Sequence, residues 1–90
     1  MSLQLPKEAL EQLKRSAEID DDPHAQYVIA QCYSDGSGLK INHKKAFELY
    51  KRSAEQGNVY AQYKITKCYA NGIGTKENPK LVLLLVQKTS

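Results

Sequence analysis

Ala25-Gln26-Tyr27-Val28-Ile29-Ala30-Gln31-Cys32-Tyr33-Ser34-Asp35-Gly36-Ser37-Gly38 returns as Ala61-Gln62-Tyr63-Lys64-Ile65-Thr66-Lys67-Cys68-Tyr69-Ala70-Asn71-Gly72-Ile73-Gly74, with eight of fourteen positions identical at an offset of 36 (61 − 25). A fixed period between about 20 and 50 residues is the mark of stacked structural repeats and is weighed before any single residue. Within each copy the apolar residues recur at helical spacing and the glycine pair ends the run. Each copy therefore reads as a helix closed by a two-glycine turn.

The flanks repeat as well. Lys51-Arg52-Ser53-Ala54-Glu55 matches Lys14-Arg15-Ser16-Ala17-Glu18 at an offset of 37 (51 − 14), the extra residue falling in the turn between repeats. Ala46, Phe47, Leu49 and Tyr50 map onto Val82, Leu83, Leu85 and Val86 at an offset of 36 (82 − 46). The chain thus holds two copies of the glycine-ended helix and three of its partner. The expected fold is all-α: an α/α superhelix, or solenoid, of about two and a half helix-loop-helix repeats and five helices. Residues 1–90 form one repeat domain, with units of roughly 6–22 (a half repeat), 23–57 and 58–89. That unit count also fits a piece of a longer array.

Local signals place the boundaries. Pro6 suits the start of a first helix ending around Ile19, with Ala9, Leu10, Leu13, Ser16 and Ala17 on its inner stripe. Asp22 followed by Pro23 is a cap and a first helical position, and Ala25, Ile29, Cys32 and Tyr33 face inward through about Ser34. Leu39 and Ile41 are expected to tuck the loop onto the core. Asn42 caps a third helix reaching about Gln56, packed through Ala46, Phe47, Leu49, Tyr50, Ser53 and Ala54. Gly57 supplies a left-handed stop and Asn58 caps a fourth helix running to about Ala70. Asn78-Pro79 starts a fifth, to about Thr89.

Composition is that of an ordinary globular chain, 41% hydrophobic and 26% charged, with a net charge of +3. The charge is uneven: residues 1–22 carry Lys7, Lys14 and Arg15 against Glu8, Glu11, Glu18, Asp20, Asp21 and Asp22, a balance of −3, which leaves +6 in the remainder. Nothing approaches the roughly 20 apolar residues of a membrane span, and no signal peptide is visible at the start. Cys32 and Cys68 hold equivalent places, about a helix-packing distance of 8–10 Å apart and beyond disulfide reach. Both are expected to be free, buried thiols, which suits a reducing, cytoplasmic setting.

The pattern Ala-Gln-Tyr-x-Ile-x-x-Cys-Tyr-x-x-Gly-x-Gly, followed from Asn42 to Gly57 by Asn-x-x-Lys-Ala-x-x-Leu-Tyr-x-x-Ser-Ala-Glu-x-Gly, resembles the Sel-one-like repeats, relatives of the tetratricopeptide repeats. The resemblance covers about residues 6–89. A plain tetratricopeptide match is poorer, since that repeat spans 34 residues without a long Gly-x-Gly loop. Departures are Ala30 and Thr66 where the family often has glycine, Asp20–Asp22 in place of the glycine between repeats, and a loosely matching last helix. The family's cysteine-rich branch bridges the two helices of each repeat, and one cysteine per repeat cannot do so here. The resemblance implies a non-catalytic scaffold or adaptor for a protein or peptide partner.

Chemistry-bearing constellations are scarce. His24 and His43 sit in different turns without a carboxylate or cysteine at ligand spacing, so no metal site, cofactor site or catalytic residue is assigned. Gly36-Ser37-Gly38 and Gly72-Ile73-Gly74 follow helices, whereas phosphate-cradling loops follow strands and carry more glycines. The chain does not read as an enzyme.

Two features point outward. His24, Val28, Gln31 and Asp35, and then Tyr60, Lys64, Lys67 and Asn71, lie along one face of the glycine-ended helices, and in a solenoid the two rows run side by side on the inner surface. Gln31, Tyr60, Lys64 and Lys67 are the expected partner-binding residues, with Tyr60 as aromatic anchor and the lysines receiving acidic groups. Leu81 and Leu84 replace Lys45 and Glu48, making the last helix apolar all round. This predicts self-association as a homo-oligomer or contact with a further repeat. The alternative to a protein partner is nucleic acid on the basic remainder. Scattered lysines and scarce arginine make that the poorer reading.

Overall fold

A computed structural model describes residues 6–75. Four helices follow one another: α1 (Lys7–Glu18), α2 (Pro23–Asp35), α3 (His43–Glu55) and α4 (Val59–Asn71). The fifth helix, expected over 78–89, and with it Leu81 and Leu84, lies outside the described residues. No strand occurs among the described residues.

The starts of α2, α3 and α4 are set by side chains that satisfy the first backbone N–H groups. Asp22 accepts from His24 N at 3.0 Å, with Pro23 at the first helical position. Asn42 accepts from Lys45 N at 3.1 Å, and Asn58 from Tyr60 N and Ala61 N at 3.0 and 3.2 Å. Gly36 and Gly72 close α2 and α4 in the left-handed region.

Each helix packs on the next, and α2 lies between α1 and α3. The buried core runs through Leu10 and Ala17 of α1, Ala25, Ile29, Ala30, Cys32 and Tyr33 of α2, Ala46, Leu49 and Tyr50 of α3, and Ala61 and Ile65 of α4. These are the repeated positions of the sequence, so one set of contacts is made twice. The molecule is elongated, 40 × 23 × 22 Å. Cys32 and Cys68 are free and buried. Leu39 packs on the core as expected, but Ile41 is 55% exposed and does not. A Cβ on Gly36 would lie 3.0 Å from Ile41 Cγ1, which puts the Ile41 side chain over the turn rather than the core.

The second glycine of each loop is needed for close approach. A Cβ on Gly38 would stand 2.9 Å from Leu10 Cδ2, and one on Gly74 only 2.3 Å from the His43 carbonyl oxygen and 3.0 Å from Phe47 Cβ. Leu10 and Phe47 are themselves equivalents at an offset of 37 (47 − 10). Each glycine loop is therefore pressed onto the start of the helix that belongs to the preceding hairpin.

Between repeats, Asp21 occupies the position of Gly57 at an offset of 36 (57 − 21), with a φ of +54° against +96°. Aspartate tolerates this region better than most side chains because its carboxylate bonds locally. Here it accepts from Gln26 Nε2 at 2.6 Å and from Arg52 at 2.8 Å. Those hydrogen bonds, Gln26's first, hold its carboxyl below the ordinary aspartate range.

Buried Gln26 is the keystone of this junction. Its Nε2 also donates to the Ala17 carbonyl at 3.1 Å, and its Oε1 accepts from Gln56 Nε2 at 2.9 Å. Gln62, its equivalent, donates to the Ala54 carbonyl at 3.1 Å. Ser53 Oγ donates to the Pro23 carbonyl at 2.6 Å, tying α3 to the start of α2. Polar side chains thus satisfy the orphan carbonyls at the ends of α1 and α3.

Candidate functional site

The exposed apolar surface is concentrated on one helix. Of the six exposed large hydrophobic residues among the described ones, Val59, Tyr60 and Tyr63 lie on α4 and Ile73 just beyond it. Ala61, Ile65 and Cys68 bury the opposite side of the same helix, so its position is fixed while its outer face stays open. Tyr60, Tyr63, Lys64 and Lys67, spaced i, i+3, i+4 and i+7, form one ridge.

Tyr60 is 68% exposed, yet its ring is held in place. Its centroid lies 6.0 Å from that of Tyr27 on α2, and Tyr27 in turn lies 5.8 Å from Tyr50 on α3. Both pairs are tilted, within the spacing at which aromatic rings attract. The result is an aromatic ladder across three helices whose outer rung is Tyr60. Burial pushes the Tyr50 phenol far above its usual range, as expected for the inner rung.

Lys67 is exposed, with Nζ 5.2 Å from the centroid of the exposed Tyr63 ring. Lys64 is half-buried next to Cys68. Burial pushes the Cys68 thiol up, and the Lys64 charge pulls it partway back; the Cys32 thiol is likewise raised by burial. Neither is a poised thiolate.

Of the four residues expected to bind a partner, Tyr60, Lys64 and Lys67 stand together on α4. Gln31 differs: half-buried on α2, it donates from Nε2 to Tyr27 Oη at 3.1 Å and so braces the ladder. Tyr63 was not singled out by the sequence, because its twin Tyr27 is a packing residue. Tyr27 is covered by Tyr50 and Tyr60, whereas Tyr63 is 61% exposed. The signal that could have found it is its place three residues after Tyr60 and four before Lys67.

Elsewhere the surface offers less. Among the described residues no group of three His, Cys, Asp or Glu side chains is placed to hold a metal ion. No helix among them is long and apolar enough to cross a membrane. A shallow hollow of about 350 Å³ on α1 is lined by Glu11, Lys14, Arg15, Glu18 and Ile19, charges of both signs without a converging set.

The repeat geometry can be set beside known proteins. The Sel1 repeat model matches residues 23–58 and 59–81. The chain belongs to the Sel1 repeat family. Its Sel1 repeats superimpose on a Sel1 repeat protein from Oxalobacter formigenes with a TM-score of 0.83 and 29% identity, over 89% of this chain and 32% of that one. They also match c5321, a protective antigen of uropathogenic Escherichia coli strains that displays an SLR fold, with a TM-score of 0.82 and 26% identity, over 91% of this chain and 17% of that one. In sequence, 59 residues are 39% identical to the chitin synthase regulator SKT5 of Saccharomyces cerevisiae, covering 66% of this chain and 8% of that protein. The chain therefore spans a small part of each of these relatives. Sel1 repeat proteins are in general scaffolds for protein interaction, and that sequence relative is a regulator.

Proposed function

We propose that this chain is a non-catalytic interaction module whose α4 ridge, continued by the edge of α2, receives a protein or peptide partner. The observation that carries this reading is the ridge itself: Tyr60 and Tyr63 exposed beside Lys64 and Lys67, on a helix anchored by its opposite face. Aromatic side chains on a rigid support, flanked by polar ones, are the usual composition of an energetic centre in an interface. Cys32 and Cys68 are both buried with raised pKa, so neither thiol is poised as a nucleophile.

The test is affinity capture by the wild-type chain and by a Tyr60→Ala/Tyr63→Ala variant shown to have the same helix content, each with and without nuclease treatment. Loss of the captured proteins in the variant supports the reading. An unchanged protein set refutes it, and capture abolished by nuclease transfers the function to nucleic acid. Self-association through Leu81 and Leu84 is a separate proposal resting on sequence. Sedimentation of the wild type and of Leu84→Glu decides it, and a monomer in both cases rejects it.

A further inference from the structure

We propose that the α4 ridge takes an acidic peptide segment carrying an aromatic residue, with Tyr60 and Tyr63 receiving the ring and Lys64 and Lys67 the carboxylates. This rests on the interaction reading above and specifies the chemistry of its ligand.

The argument is one of charge placed on apolar surface. No acidic residue lies anywhere on α4, Val59–Asn71. Lys64 and Lys67 stand where the preceding repeat has Val28 and Gln31, at an offset of 36 (64 − 28), so both cations are peculiar to the exposed copy. Among the described residues neither is paired with a carboxylate, whereas Arg52, on α3, is bound to Asp21 at 2.8 Å. The acid of the adjoining α2 row, Asp35, is at that helix's C-terminal end, where its carboxylate accepts from Ser37 N at 2.9 Å. An acidic segment is therefore drawn to α4 and kept off the end of α2. The rings supply what charge alone does not. Tyr60 is set by the ladder through Tyr27 and Tyr50, so little ordering is lost when a second ring packs on it. Lys67 over Tyr63 already shows the cation–aromatic arrangement that a ligand carboxylate would join from outside.

A nucleic-acid strand fits less well. Following a phosphate backbone needs a continuous basic track. Among the described residues, the other lysines after the first glycine loop, Lys40, Lys44, Lys45 and Lys51, lie on the loop and on α3, off this ridge, and Lys45 is engaged over Tyr33 at 5.3 Å.

The experiment is fluorescence anisotropy with a labelled Asp/Glu-rich peptide containing one phenylalanine, its twin with Asn and Gln replacing the acids, and an oligouridylate. The acidic peptide should bind, more weakly as salt rises. Tyr60→Ala should weaken it about tenfold, and Lys64→Gln/Lys67→Gln by a similar or larger factor with a flattened salt dependence. Equal binding of the neutral twin overturns the acidic class and leaves the interaction reading standing. Tighter, ridge-dependent binding of the oligouridylate overturns the peptide class. No binding of any probe to a folded wild type also overturns this proposal, and the affinity capture above then decides the broader reading independently.

Discussion

Replacing Gln26 with methionine tests what joins one repeat to the next. The change nearly conserves volume and removes both polar ends of a side chain that is fully buried. The Ala17 carbonyl at the end of α1 then loses the donor that reaches it at 3.1 Å, and Gln56 loses its acceptor at 2.9 Å. Gln56 is exposed and can turn to water, so its loss is small. The Ala17 carbonyl belongs to a residue with no exposure, and an orphaned buried acceptor costs about 1–3 kcal/mol. Gln62→Met removes the equivalent bond to Ala54, but Gln62 and Ala54 are both half-buried and water can replace it, so about 0.5–1 kcal/mol is expected. A domain of this size gains about 0.05–0.15 kcal/mol per residue, so the Gln26 loss is a sizeable share of the total. Urea unfolding followed by circular dichroism should show a lower midpoint for Gln26→Met with an unchanged slope. A loss below about 0.5 kcal/mol, or a larger loss at Gln62 than at Gln26, refutes the junction argument.

Gly74→Ala should be far more damaging than Gly57→Ala. Both carry positive φ, but a Cβ on Gly74 meets backbone at 2.3 Å while one on Gly57 meets nothing within 4 Å. Thermal melts should show a loss near 1 kcal/mol at Gly57, from conformation alone, and several kcal/mol at Gly74; equal losses would contradict the loop packing. Asp21, with its carboxyl held below the ordinary 3.8, adds stability above its unfolded value that is lost as pH falls through the folded one. Asp21→Asn keeps an acceptor and should flatten the acid limb of the stability–pH curve below about pH 4; an unchanged limb refutes the Asp21 account. Cys32 and Cys68, buried and raised, should resist a thiol reagent at pH 8 in the native state and react once unfolded. Rapid native labelling of either would contradict their burial.

Most of the fold was legible because a repeat states each contact twice. The caps Asp22, Asn42 and Asn58, the stops at Gly36 and Gly57, and the stripe of Ala, Ile, Cys and Tyr all act through local geometry that sequence encodes directly. The burial of Gln26 is not legible, because an amide inside a helix reads as surface; its identity with Gln62 is the available clue. Asp21 stands where the next repeat has a glycine, but its bonds to Gln26, five residues on, and to Arg52, 31 residues on, are contacts that no local pattern announces. The site was half legible. Tyr60, Lys64 and Lys67 could be placed by helical spacing. The contrast between Tyr27 and Tyr63 could not, since identical motifs differ in burial according to what stacks on them. For the same reason Gln31 proved to be a brace for Tyr27.

The most direct measurement is an amide chemical-shift titration of the labelled chain with the acidic, phenylalanine-bearing peptide. The account predicts perturbations centred on Tyr60, Tyr63, Lys64 and Lys67 and spreading to Tyr27 and Gln31, which require about tenfold more peptide in Tyr60→Ala. Shifts confined to α1 or to the outer face of α3, with the α4 ridge silent, would contradict it.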